Sequence, residues 1–169
     1  MSTLTLESIS SSSEDELFTL LSKELESRIP AARNSPEFLA QIQSLPVGLR
    51  AMAATYELDV SLTMDDLGWH FGNWHDEELA EETARGLEVL GAPELARLFR
   101  EAFRLALQYW SELGSEDWSQ WYHGSPLETA VGPLNEQAWK FLDKHKDGIF
   151  HYWVDYARKN PDGVGIARA

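Results

Sequence analysis

The sequence contains no cysteine. That excludes a disulfide scaffold and a thiolate metal site, and it fits a reducing compartment such as the cytoplasm. Long apolar runs are absent too. No stretch approaches the roughly 18 uninterrupted apolar residues that a membrane-spanning helix needs. The opening residues have neither the basic start nor the apolar centre of a signal peptide. Bases are scarce: Lys and Arg total 14 against 28 Asp and Glu, for a net charge of −14. Such a chain is repelled by nucleic acid and anionic lipid and attracted to basic surfaces. Signatures of catalysis are also lacking. There is no G-x-S-x-G, no P-loop and no H-E-x-x-H. The expectation is therefore a non-enzymatic protein with no cofactor and no metal, which binds neither nucleic acid nor membrane directly.

What is present is helical periodicity. A polar, Ser-rich stretch over residues 1–12 reads as a flexible N-terminus. Ser13 and Glu16 have the spacing of a capping box, and Leu17, Leu21 and Leu25 follow at helical period up to Pro30. Ser35, Pro36 and Glu37 open a short second helix. After Pro46 a third helix carries Leu49, Met52, Tyr56 and Val60 on one face. Residues 63–75, punctuated by Gly68 and Gly72, read as a turn and a short helical segment. Asp76 then caps a helix that Gly91 stops. From Pro93 an unbroken stripe runs through Leu95, Leu98, Phe99, Ala102, Phe103, Ala106, Trp110 and Leu113 to Gly114. Residues 115–132 read as a long connection, Pro133 as the start of another short helix, and residues 149–157 as a last one. No segment alternates at period two. The prediction is an all-α single domain of about six to seven helices, spanning residues 13–161, with a flexible tail over 162–169.

Charge is unevenly distributed. Between Arg50 and Arg85 there is no base, and that gap holds nine acids: Glu57, Asp59, Asp65, Asp66, Asp76, Glu77, Glu78, Glu81 and Glu82. A second base-free gap, from Arg104 to Lys140, holds Glu112, Glu116, Asp117, Glu128 and Glu136, and the sign inverts after it. The densest patch runs from Asp76 to Glu82. At about 1.5 Å per helical step its charges lie roughly 1.8 Å apart, close to the ~1.7 Å per charge along duplex DNA. The macrodipole favours acids in a first turn and accounts for Asp76, Glu77 and Glu78. It does not account for Glu81 and Glu82, which repeat the sign of Glu77 and Glu78 at i,i+4. The patch is either a solvated face or a recognition surface. Replacing Glu81 and Glu82 together with Gln is expected to leave the melting temperature unchanged or slightly raised.

Other constellations are weaker. His70 and His75, with Asp76, would form a small ligand or metal site only if a turn folds them together. Asp143, His145, Asp147 and Gly148 resemble the start of a calcium loop, but Val154 stands where the bidentate Glu belongs. Trp110, Trp139 and Trp153 lie on apolar stripes and read as core. Trp118, Trp121 and Tyr122 sit in the acidic connection, where they either tie the loop down or stand exposed as interface aromatics.

The middle of the chain carries a resemblance. Asp66-Leu67-Gly68-Trp69-His70-Phe71-Gly72-Asn73, followed by Arg85-Gly86-Leu87-Glu88-Val89-Leu90-Gly91-Ala92, is similar to a bacterial all-helical domain family of unknown general function. Tyr156 and Asn160-Pro161 suit that family's closing element. Asp66 and Leu67 stand where the family pattern has Asn and Gly. The similarity covers about residues 45–161, and the family includes an acidic DNA mimic. The resemblance implies transcription regulation through a basic, DNA-binding partner, held by the nine acids of the first gap. Two alternatives stay open: an immunity-type protein that neutralises a basic toxin or nuclease, and a small ligand- or metal-binding domain. A homodimer is compatible with each.

Overall fold

The computed structural model describes residues 4–33, 35–143 and 148–166. Among these residues there is no strand, and the fold is all-α. Its helices are α1 (Leu6–Ser11), α2 (Glu14–Arg28), α3 (Pro36–Gln43), α4 (Val47–Met64), α5 (Leu67–Asn73) and α6 (Glu77–Val89). There follow α7 (Pro93–Ala106), α8 (Trp110–Leu113), α9 (Trp118–Tyr122), α10 (Pro126–Leu142) and α11 (Phe150–Lys159). This division is finer than six to seven helices, because the sequence stripes run across short breaks.

Helix α4 is the axis of the molecule. Leu49, Met52 and Leu58 are wholly buried on it, and it packs against α2, α3, α5, α6 and α11. Helices α4 and α6 lie especially close at Gly86. A Cβ added there would meet the Ala51 carbonyl oxygen at 2.9 Å, so the backbones meet without an intervening side chain. Helix α7 covers α6, and α10 covers α5 and α7. Trp153 of α11 is fully buried, and its indole N–H donates to Thr55 Oγ1 of α4 at 3.1 Å. A buried donor on a large aromatic needs such a partner, and here the bond also fixes the orientation of α11 on the axis.

Several local expectations meet their geometry. The Ser13–Glu16 capping box forms, with Ser13 N–H donating to Glu16 at 2.9 Å. Asp66 caps α5 by accepting from Trp69 N–H at 2.8 Å, and Asp76 caps α6 by accepting from Leu79 N–H at 3.0 Å. Others are corrected. Within residues 1–12, Thr5 and Ser8 form a capping box, and Leu4, before α1, and Ile9, on it, are buried. In the tail, Pro161–Val164 forms a 3-10 turn with Val164 fully buried, while residues 167–169 lie outside the described residues. The helix read from Pro133 begins at Pro126 instead, capped by Ser125, which accepts from Glu128 N–H at 3.1 Å. Pro133 lies inside it. The connection 115–132 contains α9, and the long stripe from Pro93 breaks into α7, a 3-10 turn over Leu107–Tyr109, and α8. Val60 and Trp139, both read as facing the core, are about two-fifths exposed (41% and 39%).

Candidate partner-binding surface

Helix α6 begins with Glu77 and Glu78 exposed in its first turn, behind the Asp76 cap. One turn on, Glu81 is exposed as well, but its neighbour Glu82 is 3% exposed. The 100° step between consecutive helical residues turns Glu82 toward α4. There Arg50 meets it with two donors: Nε bonds Oε2 at 2.8 Å and Nη2 bonds Oε1. Arg85, one turn further along α6, reaches the same Oε1 at 2.7 Å. The Arg50 hydrogen bond in particular holds the Glu82 carboxyl below the usual carboxylate range, against the opposing effect of burial. Glu82 raises the Arg50 pKa in return. Glu82 is thus a structural anion and leaves the candidate surface. The two bases that bound the first gap are its partners, so its compensation comes from the edges of the gap.

The remaining acids of that gap divide by role. Glu57 pairs with Arg33 and is largely buried. Asp59 accepts from Ile149 N–H at 2.9 Å, and burial raises its carboxyl pKa despite that bond. Asp66 caps α5 and also accepts from the Tyr122 hydroxyl at 2.8 Å. Asp76 keeps its exposed charge while capping α6. Asp65, Glu77, Glu78 and Glu81 are exposed, and no salt bridge engages them among the described residues. With Glu82 removed, four charges over five helical steps from Asp76 to Glu81 leave one per roughly 1.9 Å.

The second base-free stretch folds against the first. The His75 ring stacks on Trp110 with centroids 4.1 Å apart, and its Nε2 lies 2.7 Å from the Trp110 carbonyl oxygen. Trp69 meets Trp118 edge-on at 4.6 Å. A Cβ on Gly72 would overlap the Trp118 ring, so glycine is what lets that indole lie flat on α5. Tyr122 is 1% exposed, and burial first, then the Asp66 charge, pushes its phenol pKa far up. Trp118 and Tyr122 therefore clamp α9 onto α5, and Trp121 meets Tyr109 with ring centroids 5.7 Å apart; Trp118 and Trp121 both pack against the core cluster. Of the two readings left open for them, the structure gives the one that ties the loop down, and the exposed interface reading falls away. Gly114 lies against the His75 ring, where a Cβ would come within 2.7 Å, and Glu116 and Asp117, which follow it, are exposed.

Seven of the eight described arginines are drawn into pairs. Arg28, Arg33, Arg50, Arg85, Arg97, Arg100 and Arg158 each engage a carboxylate. Arg100, raised mainly by its bond to Glu88 and also by the Glu81 charge, marks the edge of the acidic surface. The histidine alternative does not assemble. His70 is 3% exposed and its Nδ1 sits 2.8 Å from Ser61 Oγ, while His75 stands outside on Trp110. Among the described residues no three His, Cys, Asp or Glu are grouped to hold a metal ion. His145 and Asp147 of the calcium-like stretch lie outside the described residues.

Comparison with known proteins adds one finding. The model of the family described as DMP19-like protein matches residues 43–160, nearly the region on which the resemblance rested. No curated protein and no solved structure matches the chain. The chain belongs to the DMP19-like protein family.

Proposed function

We propose that this member of the DMP19-like family is an acidic protein-binding module that acts as a DNA mimic and occupies the basic DNA-binding surface of a partner such as a transcription factor. The observation that carries the reading is the contrast in pairing. Among the described residues Asp65, Glu77, Glu78 and Glu81 stand exposed without salt bridges, while seven of the eight described arginines, all but Arg104, are tied to other carboxylates. A surface of that sign steers a basic partner and repels nucleic acid. The resemblance to a family with an acidic DNA-mimic member points the same way. Binding rather than catalysis is the activity proposed, without cofactor or metal and in the cytoplasm.

The test is competition. The chain is used to capture a basic DNA-binding protein from its native host at low salt, and the captured protein is then titrated with duplex DNA and with this chain. The expected result is mutual exclusion, with affinity for the chain falling as ionic strength rises. A partner that holds DNA and this chain at the same time would refute the mimic. Capture of a basic nuclease whose activity the chain blocks would establish the immunity-type alternative instead.

A further inference from the structure

On the other side of α4 from α6, a groove of about 330 Å³ opens between α2, the start of α3 and α4. Its walls are Leu25 of α2 and Ile29 just after it, Phe38 of α3, and Ala53 and Tyr56 of α4. The family match begins at residue 43, so α4 supplies a family floor and the preceding helices supply walls that lie outside the match. Two carboxylates, Glu26 and Glu57, line the groove with one base, Arg33. That leaves one more carboxylate than base on the groove, with Glu26 at its exposed rim. Ser22 also lines it, one turn before Glu26, and its hydroxyl oxygen is buried without a hydrogen-bond partner. A buried hydroxyl without a partner is uncommon in folded proteins and asks for an explanation.

Arg33 indicates which chemistry the groove accepts. Its guanidinium carbon lies 4.8 Å from the centroid of the Tyr56 ring, and its Nη1 pairs with Glu57. An aromatic face beside a carboxylate is a seat for a cation. The occupant is held loosely, because the Arg33 side chain is 52% exposed, and an exposed pair of this kind contributes little.

We propose that the groove binds a small organic cation with an apolar body, an arylalkylamine or arylalkylguanidine, in the seat that Arg33 fills in its absence. The apolar body lies between Phe38, Leu25 and Ile29. The cationic end replaces Arg33 over Tyr56 and between Glu57 and Glu26. The size is adequate, since pockets for small ligands begin at roughly 300 Å³. This site is independent of the acidic surface of α6.

The test uses the full chain with 4-phenylbutylamine as probe and 4-phenylbutyrate as the anion of matched apolar body, titrated by calorimetry and by NMR shifts. The wild type is expected to bind the amine at least tenfold more tightly than the carboxylate. Arg33→Ala vacates the seat and should tighten the amine severalfold. Glu57→Gln should weaken it about tenfold, and Glu26→Gln, at an exposed position, should weaken it with no change in melting temperature. Failure of Arg33→Ala to bind the amine overturns the proposal, as does equal binding of the carboxylate. Amine binding that survives both Glu57→Gln and Glu26→Gln also overturns it, because the cation is then held elsewhere on this acidic chain.

Discussion

Glu81 and Glu82 are adjacent on α6 and identical in chemistry, yet they belong to different parts of the protein. Glu81 faces solvent beside Glu77 and Glu78, where its charge adds to an unneutralised surface. Glu82, one step round the helix, is 3% exposed and shared between Arg50 and Arg85. A buried carboxylate with several charge-assisted bonds holds helices together. An exposed one without a salt bridge costs the fold little and remains available to a partner. An acidic cluster in sequence is therefore not one object, and the helical step decides which of its members can recognise anything.

The largest expected effect comes from breaking the buried member. Glu82→Ala leaves Arg50 and Arg85 without their shared anion and should lower stability by about 2–4 kcal/mol. This lies somewhat below the roughly 3–5 kcal/mol of a severed buried pair, because the Arg50 side chain is 34% exposed and can rehydrate. Urea unfolding measures it, and a loss below about 1 kcal/mol would mean that Glu82 does not join α4 to α6. It follows that the paired Glu81/Glu82→Gln replacement should destabilise the protein, contrary to the expectation from sequence.

A second effect separates the buried groups by pH. Burial holds the His70 imidazole down at about 3, well below its ordinary 6.5. Below pH 6.5 the unfolded chain takes up a proton that the native state refuses, so stability falls as pH falls, by up to about 1.4 kcal/mol per unit. Between pH 7 and pH 5 the loss should approach 2 kcal/mol. Glu82 contributes in the same direction only at lower pH. Its depressed pKa stabilises the fold above the ordinary 4.5, and that contribution is lost as pH falls through the folded value. Denaturant midpoints at pH 7, 6 and 5 read mainly the His70 window, with the raised carboxyl of Asp59 acting in the opposite direction at its acid end, and His70→Asn should remove most of the slope. A slope unchanged in that variant would assign the loss to another group.

The smallest effect on stability is expected at Glu81. Glu81→Gln relieves the repulsion with Glu77 at i,i+4, about 0.2–0.5 kcal/mol, and gives up a long-range attraction to Arg100. The melting temperature should hardly move, while affinity for a basic partner and its salt dependence should both decrease. Unchanged affinity in a variant of unchanged stability would return Glu81 to an ordinary solvated position.

Much of the fold was legible in local spacing. Ser13 with Glu16, Asp76 before Leu79, and Leu17, Leu21 and Leu25 act through neighbours within one or two turns, so their roles are visible in a short window. The shorter elements were not legible. Helix α9 exists because Gly68 and Gly72 leave room for Tyr122 and Trp118, and no window containing only one partner shows that. Trp139 illustrates the reverse error. It sits on an apolar stripe, yet it lies at the surface with its indole N–H on the Leu62 carbonyl oxygen at 3.0 Å. For the candidate site, Arg85 three residues after Glu82 was a local clue to pairing. Arg50, thirty-two residues away, was not.

The sequence by itself determined the helical class, the excess of negative charge and the stretches that carry it, because periodicity, capping and composition are local or additive properties. Which carboxylates the fold consumes was decided only by the tertiary structure. Whether Glu57, Asp59 and Glu82 meet a base or a backbone N–H depends on how α4 packs against its neighbours, and pairing energies fall off over a few ångströms. Of the nine acids in the first gap, packing leaves Asp65, Glu77, Glu78 and Glu81 exposed and without a salt bridge among the described residues, and on the proposed reading these are the ones that meet a partner.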